Sequence, residues 1–397
     1  MRTARILFLV FLVFMVGVPV WWYTEAGFDP GTLLVQGGMV LENGKAVPMD
    51  LRLKGQRILE MGQLSPIRGE KIVSVSGQLV LPGFVESGHD PKFDSKLAVQ
   101  SGVTSVVLPD RRAFTEAAEQ KSATNVGWVA DYFEIENEVL KQSPQAPLTA
   151  VALNQGLARQ MQLGAIGVYF DLRQGLNPQT EQALNWLAPE LKQRNGLLLV
   201  RLQGADKSLW DELETVLQIA EKAQVPLHLA DLQLSSEKVW NRANHLVARL
   251  EKARAAGLNV TFDFNPLLPL QPSDLQTFLE DPRGFISTNW AMAEETLQQT
   301  PETVSPPVLG LSQLIVKRSS LAANAFGLKD RGKLEAGAFA DLVLLKAGES
   351  FDALQSLDKF QQSISQVWVN GELVFKEKVL APAGKPLYGS PPAHLSE

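Results

Sequence analysis

Eight short apolar runs, spaced by stretches of helical periodicity, constrain this chain more than any other feature. They lie at 79–85, 105–108, 126–130, 165–170, 197–202, 227–232, 260–264 and 285–288. Runs this short and this apolar suit strands buried on both faces, as in parallel sheets. Between them, 207–224 sets Leu209, Trp210, Leu213, Val216, Leu217 and Ala220 on one helical face. A second helix is expected after Ser235 and Ser236, which suit a cap, with Val239, Trp240, Ala243, Leu246, Val247 and Leu250 inside and Gly257 as its stop. Eight strands alternating with helices predict an α/β fold with a TIM-type (β/α)8 barrel over 81–311. The 397 residues leave room for a smaller module beside it.

That module is expected to be a small β-sandwich built from 32–80 and 312–380. Both segments carry short strand-like runs and an Asn-Gly turn, at Asn43-Gly44 and Asn370-Gly371. A helix is expected near 321–326. The Pro- and Gly-rich tail, 381–397, reads as extended.

The N-terminus, 1–31, reads as a membrane anchor and linker. Residues 6–23 form an unbroken apolar run behind Arg2 and Arg5, with Glu25 and Asp29 beyond it and Trp21, Trp22 and Tyr23 at the far interface. The charge bias puts the N-terminus in the cytoplasm and the folded part outside, in the periplasm if the source is bacterial. A cleaved signal peptide ending at Thr24-Glu25-Ala26 is the rival reading.

A net charge of −6 without a basic patch argues against nucleic acid as a partner. The absence of cysteine excludes disulfides, thiolate nucleophiles and cysteine-ligated zinc. The four histidines are His89, His228, His245 and His394.

Four stretches resemble the amidohydrolase superfamily. They are Leu33-Leu34-Val35-Gln36-Gly37-Gly38, Val80-Leu81-Pro82-Gly83-Phe84-Val85-Glu86, Ser101-Gly102-Val103-Thr104-Ser105-Val106-Val107, and the return strand from Gly332 to Val343 with Ala340-Asp341-Leu342. The middle, through Gly164-Ala165-Ile166-Gly167-Val168 and Gly257-Leu258-Asn259-Val260-Thr261, is similar to the N-acyl-D-amino-acid deacylase and dihydroorotase branch. The likeness covers about residues 32–375.

The resemblance implies hydrolysis of C–N bonds by one or two divalent metals held at the C-terminal ends of the barrel strands. The positions that match the family's ligands depart from it. The first-strand His-x-His falls on Gly88 and Asp90, expected to point inward, with His89 on the opposite parity. The bridging ligand falls on Tyr169, and the fifth-strand histidine on Arg201, a permanent cation. The sixth-strand ligand falls on Asp231, with His228 a structural neighbour. The eighth-strand Asp, ligand and general base, falls on Asn289, which has no useful basicity, followed by Trp290.

These departures predict a pseudoenzyme that binds a ligand or scaffolds at the membrane, with no cofactor. Its ligand-binding candidates are Asp90, Arg201, Asp231, Asn289 and Trp290, and Arg201 is expected to fill the metal space and pair with Asp90, Asp231 or both. The expected partners are the membrane, a small polar ligand or an envelope protein. One alternative is a hydrolase of non-peptide C–N bonds with a divalent metal such as zinc on Glu86, His89, Asp90 and Asp231. Another is a metal-free enzyme of a different class using Arg201, Tyr169 and the carboxylates. Asp263 and Asn265 end the seventh strand, where loop solvation is the favoured reading and binding of a polar ligand the alternative.

Overall fold

A computed structural model describes residues 31–88, 93–142, 147–203, 208–234, 236–266, 270–287, 310–348 and 357–388. The apolar run 6–23 lies outside them, as do His89, Asp90, Ser235, Asn289 and Trp290. Among the described residues, no helix is long and apolar enough to cross a membrane.

The two end segments meet in one nine-stranded sheet. It contains β1 (Thr32–Glu42), β2 (Lys45–Lys54), β3 (Arg57–Gly62), β4 (Lys71–Ser74), β5 (Leu79–Pro82), then β15 (Leu342–Leu345), β16 (Ile364–Val369), β17 (Glu372–Lys376) and β18 (Lys378–Val379). Its order is β18-β17-β16-β15-β5-β1-β2-β3, with β4 beside β1. The strands surround an apolar cluster that includes Val35, Leu51, Ile58, Val80, Leu342 and Trp368. Asn43 and Gly44 (φ 50° and 78°) and Asn370 and Gly371 (φ 53° and 81°) make the tight turns of two hairpins. Hydrogen bonding runs continuously through all nine strands.

The middle of the chain carries parallel strands in sequence order. These are β6 (Phe84–Ser87), β7 (Val103–Leu108), β8 (Asn125–Trp128), β9 (Ala130–Asp131), β10 (Gly167–Asp171), β11 (Leu197–Arg201), β12 (Leu227–Leu229), β13 (Val260–Phe264) and β14 (Gly284–Ile286). They fall into a four-stranded sheet, in which β8, β7 and β6 follow the short strand β19 (Pro386–Leu387), and a six-stranded one, β14-β13-β12-β11-β10-β9. Only Val129 separates β8 from β9, so the two sheets share one chain path through eight strand positions. At its ends, Ser287 Oγ donates to Ser87 O at 2.6 Å. Among the described residues no strand ladder joins β14 to β6.

Helices α1 (Ser95–Gln100), α2 (Arg111–Ala118), α3 (Tyr132–Gln142), α4 (Ala150–Gln162), α5 (Pro178–Gln193), α6 (Ser208–Ala223), α7 (Ala243–Ala255) and α8 (Pro272–Glu280) alternate with these strands. After them come α9 (Leu311–Arg318), α10 (Ser320–Ala325) and α11 (Leu357–Ser363). Strand alternation sorts the side chains. Val168, Phe170, Leu198, Val200, Phe262 and Phe264 pack under the helices. Val85, Val107, Val129, Tyr169, Leu199, Ala230 and Phe285 form a separate cluster on the opposite face, with Ala322, Ala323 and Phe326 from α10 and its end.

One local expectation is corrected. Helix α7 starts at Ala243 rather than after the serines, because the Asp274 carboxylate from α8 accepts from the backbone N–H groups of Asn241 (2.7 Å) and Ala243 (3.0 Å). Within the tail, Pro386–Leu387 forms β19, parallel to β8. Its backbone is held by Asn125, whose Oδ1 accepts from Lys385 N (3.0 Å).

Candidate functional site

Polar side chains gather where β9 to β13 end. The register pairs Asp131 with Tyr169, and Asp171 with Arg201. Period-two alternation puts Tyr169 and Asp171 on one face of β10, and Arg201 on the matching face of β11. Asp231 follows β12 with φ 48°, a left-handed conformation that asparagine and aspartate adopt more readily than other side-chain-bearing residues. That turn brings its carboxylate to the Arg201 guanidinium, and Arg201 Nη2 donates to Asp231 Oδ2. Gln233 Nε2 donates to the other oxygen at 2.9 Å.

A buried second layer supports this pair. Asp263 Oδ1 accepts from Asp231 N (3.1 Å) and from His228 Nε2 (2.8 Å). The other ring nitrogen of His228 shares a hydrogen bond with Thr261 Oγ1 at 3.0 Å. The ring stacks on Phe285 and meets the edge of Phe326, each with centroids 5.1 Å apart. Asp263 is therefore a buried acceptor rather than a solvated loop residue, at 1% exposure.

Three further residues complete the cluster. Arg173 grips Asp171 through Nε (2.9 Å to each oxygen) and Nη2 (2.6 Å). Burial alone would raise the Asp171 pKa, but the bonds from Arg173 outweigh it and hold the carboxyl below its ordinary value. Asp131 is pushed up, first by burial and then by the nearby charge of Asp171, although Phe133 N donates to it at 2.7 Å. The Tyr169 hydroxyl is raised by burial and by Asp171, with Arg201 and Arg173 pulling the other way. The sequence reading missed Asp131, Asp171 and Arg173. Asp171 carried a legible signal, two residues beyond Tyr169 on the same strand.

The cluster offers charged N–H donors from Arg201 and Arg173, a protonated phenol, and a carboxyl in Asp131 that holds its proton more tightly than usual. Such groups bind carboxylate, carbonyl and amide oxygens. Among the described residues, no group of three His, Cys, Asp or Glu can hold a metal ion. Both nitrogens of His228 are engaged, and Asp231 already faces a guanidinium. The described residues therefore do not fit the metal centre that the resemblance implies.

The first strand corrects another expectation. Val85 lies in the cluster with Tyr169 and Leu199, so alternation turns Glu86 the other way. Glu86 is buried and accepts from Arg318 Nη2 of α9 at 2.8 Å, away from Asp231. A side chain at Gly88 would meet Leu108 and Val106 at 3.5 Å, both in the helix-facing cluster, so this position does not point inward. His245 is exposed on α7.

No protein-family model matches the chain. It is similar to the N-acyl-D-glutamate deacylase of Alcaligenes xylosoxydans xylosoxydans, 22% identical over 457 residues, covering 87% of this chain and 94% of that protein. It is also similar to the dihydroorotase of Macrococcus caseolyticus, 22% identical over 413 residues, covering 86% of this chain and 95% of the other. This chain is a relative of the amidohydrolase superfamily. Its fold agrees: a crystal structure of D-aminoacylase, described as defining a subset of amidohydrolases, superposes with a TM-score of 0.71 at 17% identity, over 90% of this chain and 99% of that one. The N-acyl-D-glutamate deacylase of Bordetella bronchiseptica, solved with zinc and a phosphonate mimic of the tetrahedral intermediate, gives 0.70 at 18% identity, over 90% and 99%.

Proposed function

We propose that this amidohydrolase relative binds a small ligand bearing a carboxylate or amide at the ends of β10 to β13, with the Arg201–Asp231 ion pair standing where relatives use a metal. The observation that carries this reading is the pairing of a permanent cation with the carboxylate at a ligand position. Arg201 and Arg173 would take the ligand's oxygens, and Tyr169 would orient it. In this reading the eight parallel strand positions close into a barrel whose mouth is this cluster. The run 6–23 would tether the protein to a membrane with its folded part outside the cytoplasm, where an envelope protein is a further partner.

A second reading, a hydrolase of non-peptide C–N bonds, is favoured by the names of the relatives, deacylase and dihydroorotase. It would use a single-metal or other non-standard site around His89, Asp90 and Asp231, the expected set without Glu86, which is bound to Arg318.

Elemental analysis of the purified protein and turnover assays on N-acyl amino acids and hydantoins separate the two. The binding reading expects no stoichiometric metal and no turnover, together with ligand binding that is lost in Arg201→Ala. Metal at one per chain, with turnover abolished by Asp90→Ala and Asp231→Ala, would establish the hydrolase instead. Fractionation tests the tether: processed protein released into the soluble fraction would refute it.

A further inference from the structure

A cavity of about 590 Å3 lies between the end of α8 and the helix α9, lined by Gln276, Asp281, Ser312, Gln313, Lys317 and Leu321. It sits by the start of β14, at the opposite end of the strands from Asp231. Lys317 is 6% exposed, and its ammonium donates to two main-chain oxygens, Asp281 O (2.7 Å) and Gly284 O (2.8 Å).

An ammonium has three N–H donors, and these two bonds use two of them. Neither carbonyl carries a full charge. The nearest acid, Asp281, is committed elsewhere: one oxygen accepts from Arg254 Nη1 of α7 (2.8 Å), the other from Arg283 N (2.7 Å). Glu280 on α8 is exposed and is bound by Gln276. On the helix of Lys317 itself, Arg318 turns to Glu86. Among the described residues, Lys317 makes no ion pair.

We infer that this cavity is a binding site for a small organic carboxylate with an apolar tail, whose charge is met by Lys317. The third N–H would donate to one carboxylate oxygen, Ser312 and Gln313 offer further donors, and Leu321 and Leu279 line the apolar part. The site is independent of the strand-end cluster.

Burial pushes the Lys317 amine down to about 8, with the charge of Asp281 only partly restoring it. A bound carboxylate reverses that depression, so binding above this value must draw in a proton. The other charges facing the amine are those of Asp281, Arg254 and Glu280.

The test is calorimetric titration of the full chain with butanoate at about pH 8.5, in two buffers of different ionisation enthalpy, with butanamide as the uncharged control. Butanoate is expected to bind with proton uptake, butanamide to bind at least about tenfold more weakly, and Lys317→Met to lose about tenfold or more in butanoate affinity. Ser312→Trp, which fills the cavity and leaves the amine in place, is expected to abolish binding even if Lys317→Met does not fold. Absence of butanoate binding to the unaltered protein, equal binding of amide and acid, or full binding to Ser312→Trp would each overturn the inference.

Discussion

His228 and Asp263 face each other across β12 and β13, with 2.8 Å between Nε2 and Oδ1 and both side chains essentially inaccessible. The same oxygen holds the backbone of Asp231, so one buried carboxylate fixes the turn that presents the site's second acid. Asp263→Ala removes the acceptor for both groups and leaves them buried without it. The expected loss is about 2–4 kcal/mol in urea unfolding. Asp263→Asn keeps one acceptor and should lose less; an alanine variant within about 0.5 kcal/mol of the parent would contradict this role.

The Arg201–Asp231 pair predicts strong coupling. Arg201→Met leaves Asp231 without its cation, and Asp231→Asn leaves Arg201 without its anion. Each is expected to destabilise on its own, while the double variant loses less than the sum. The interaction in a double-mutant cycle should be about 1–3 kcal/mol, given that both side chains keep some solvent contact. Additive losses would show that the two do not act as a unit.

Asp131 gives a pH dependence with a definite sign. Its folded pKa lies above the ordinary 3.8, so between those values the folded chain holds more protons than the unfolded one. Its contribution to stability is therefore present at low pH and falls as pH rises through that window. Asp131→Asn, which still accepts from Phe133 N, should gain on the parent as pH rises from 3.8. A stability difference that stays flat across that range would refute the assignment.

Asp171 behaves oppositely. Its depressed pKa means a contribution present above 3.8 and lost as pH falls through its lower folded value. Arg173→Ala removes the bonds responsible. The variant's acid-unfolding midpoint should move to higher pH, and an unchanged midpoint would show that the pair is only a surface contact.

Lys317 acts on the alkaline side. Its amine is depressed from 10.5 to about 8 by burial, so the unfolded chain binds more protons between those values. Stability is expected to rise with pH through that interval, by an amount on the order of 3 kcal/mol, and Lys317→Met should flatten that rise.

Most strand positions were legible because buried parallel strands must be apolar on both faces. The runs at 197–202 and 260–264 meet β11 and β13 almost residue for residue. The direction of Glu86 was not legible, since it depends on which face Val85 takes, and only the packing of Val85 against Tyr169 and Leu199 decides that. Arg173 lies beyond its strand, where period-two alternation no longer applies. The start of α7 was misplaced because its cap comes from Asp274, more than thirty positions later, where Ala243 N lies 31 residues away along the chain. The strand in the tail could not be read from Pro386 and Leu387 alone, because a two-residue strand has no periodicity.

Strand β8 has β7 on one side, while its other neighbour, β19, is anchored by Lys385, 260 residues downstream of Asn125. During synthesis, then, the Val126 and Gly127 end of an early strand's edge waits for a partner some 260 residues further along the chain. Removing Pro386 and Leu387 would leave that end without its neighbour, while the Trp128 end keeps its bond from Ile166 N at 2.7 Å.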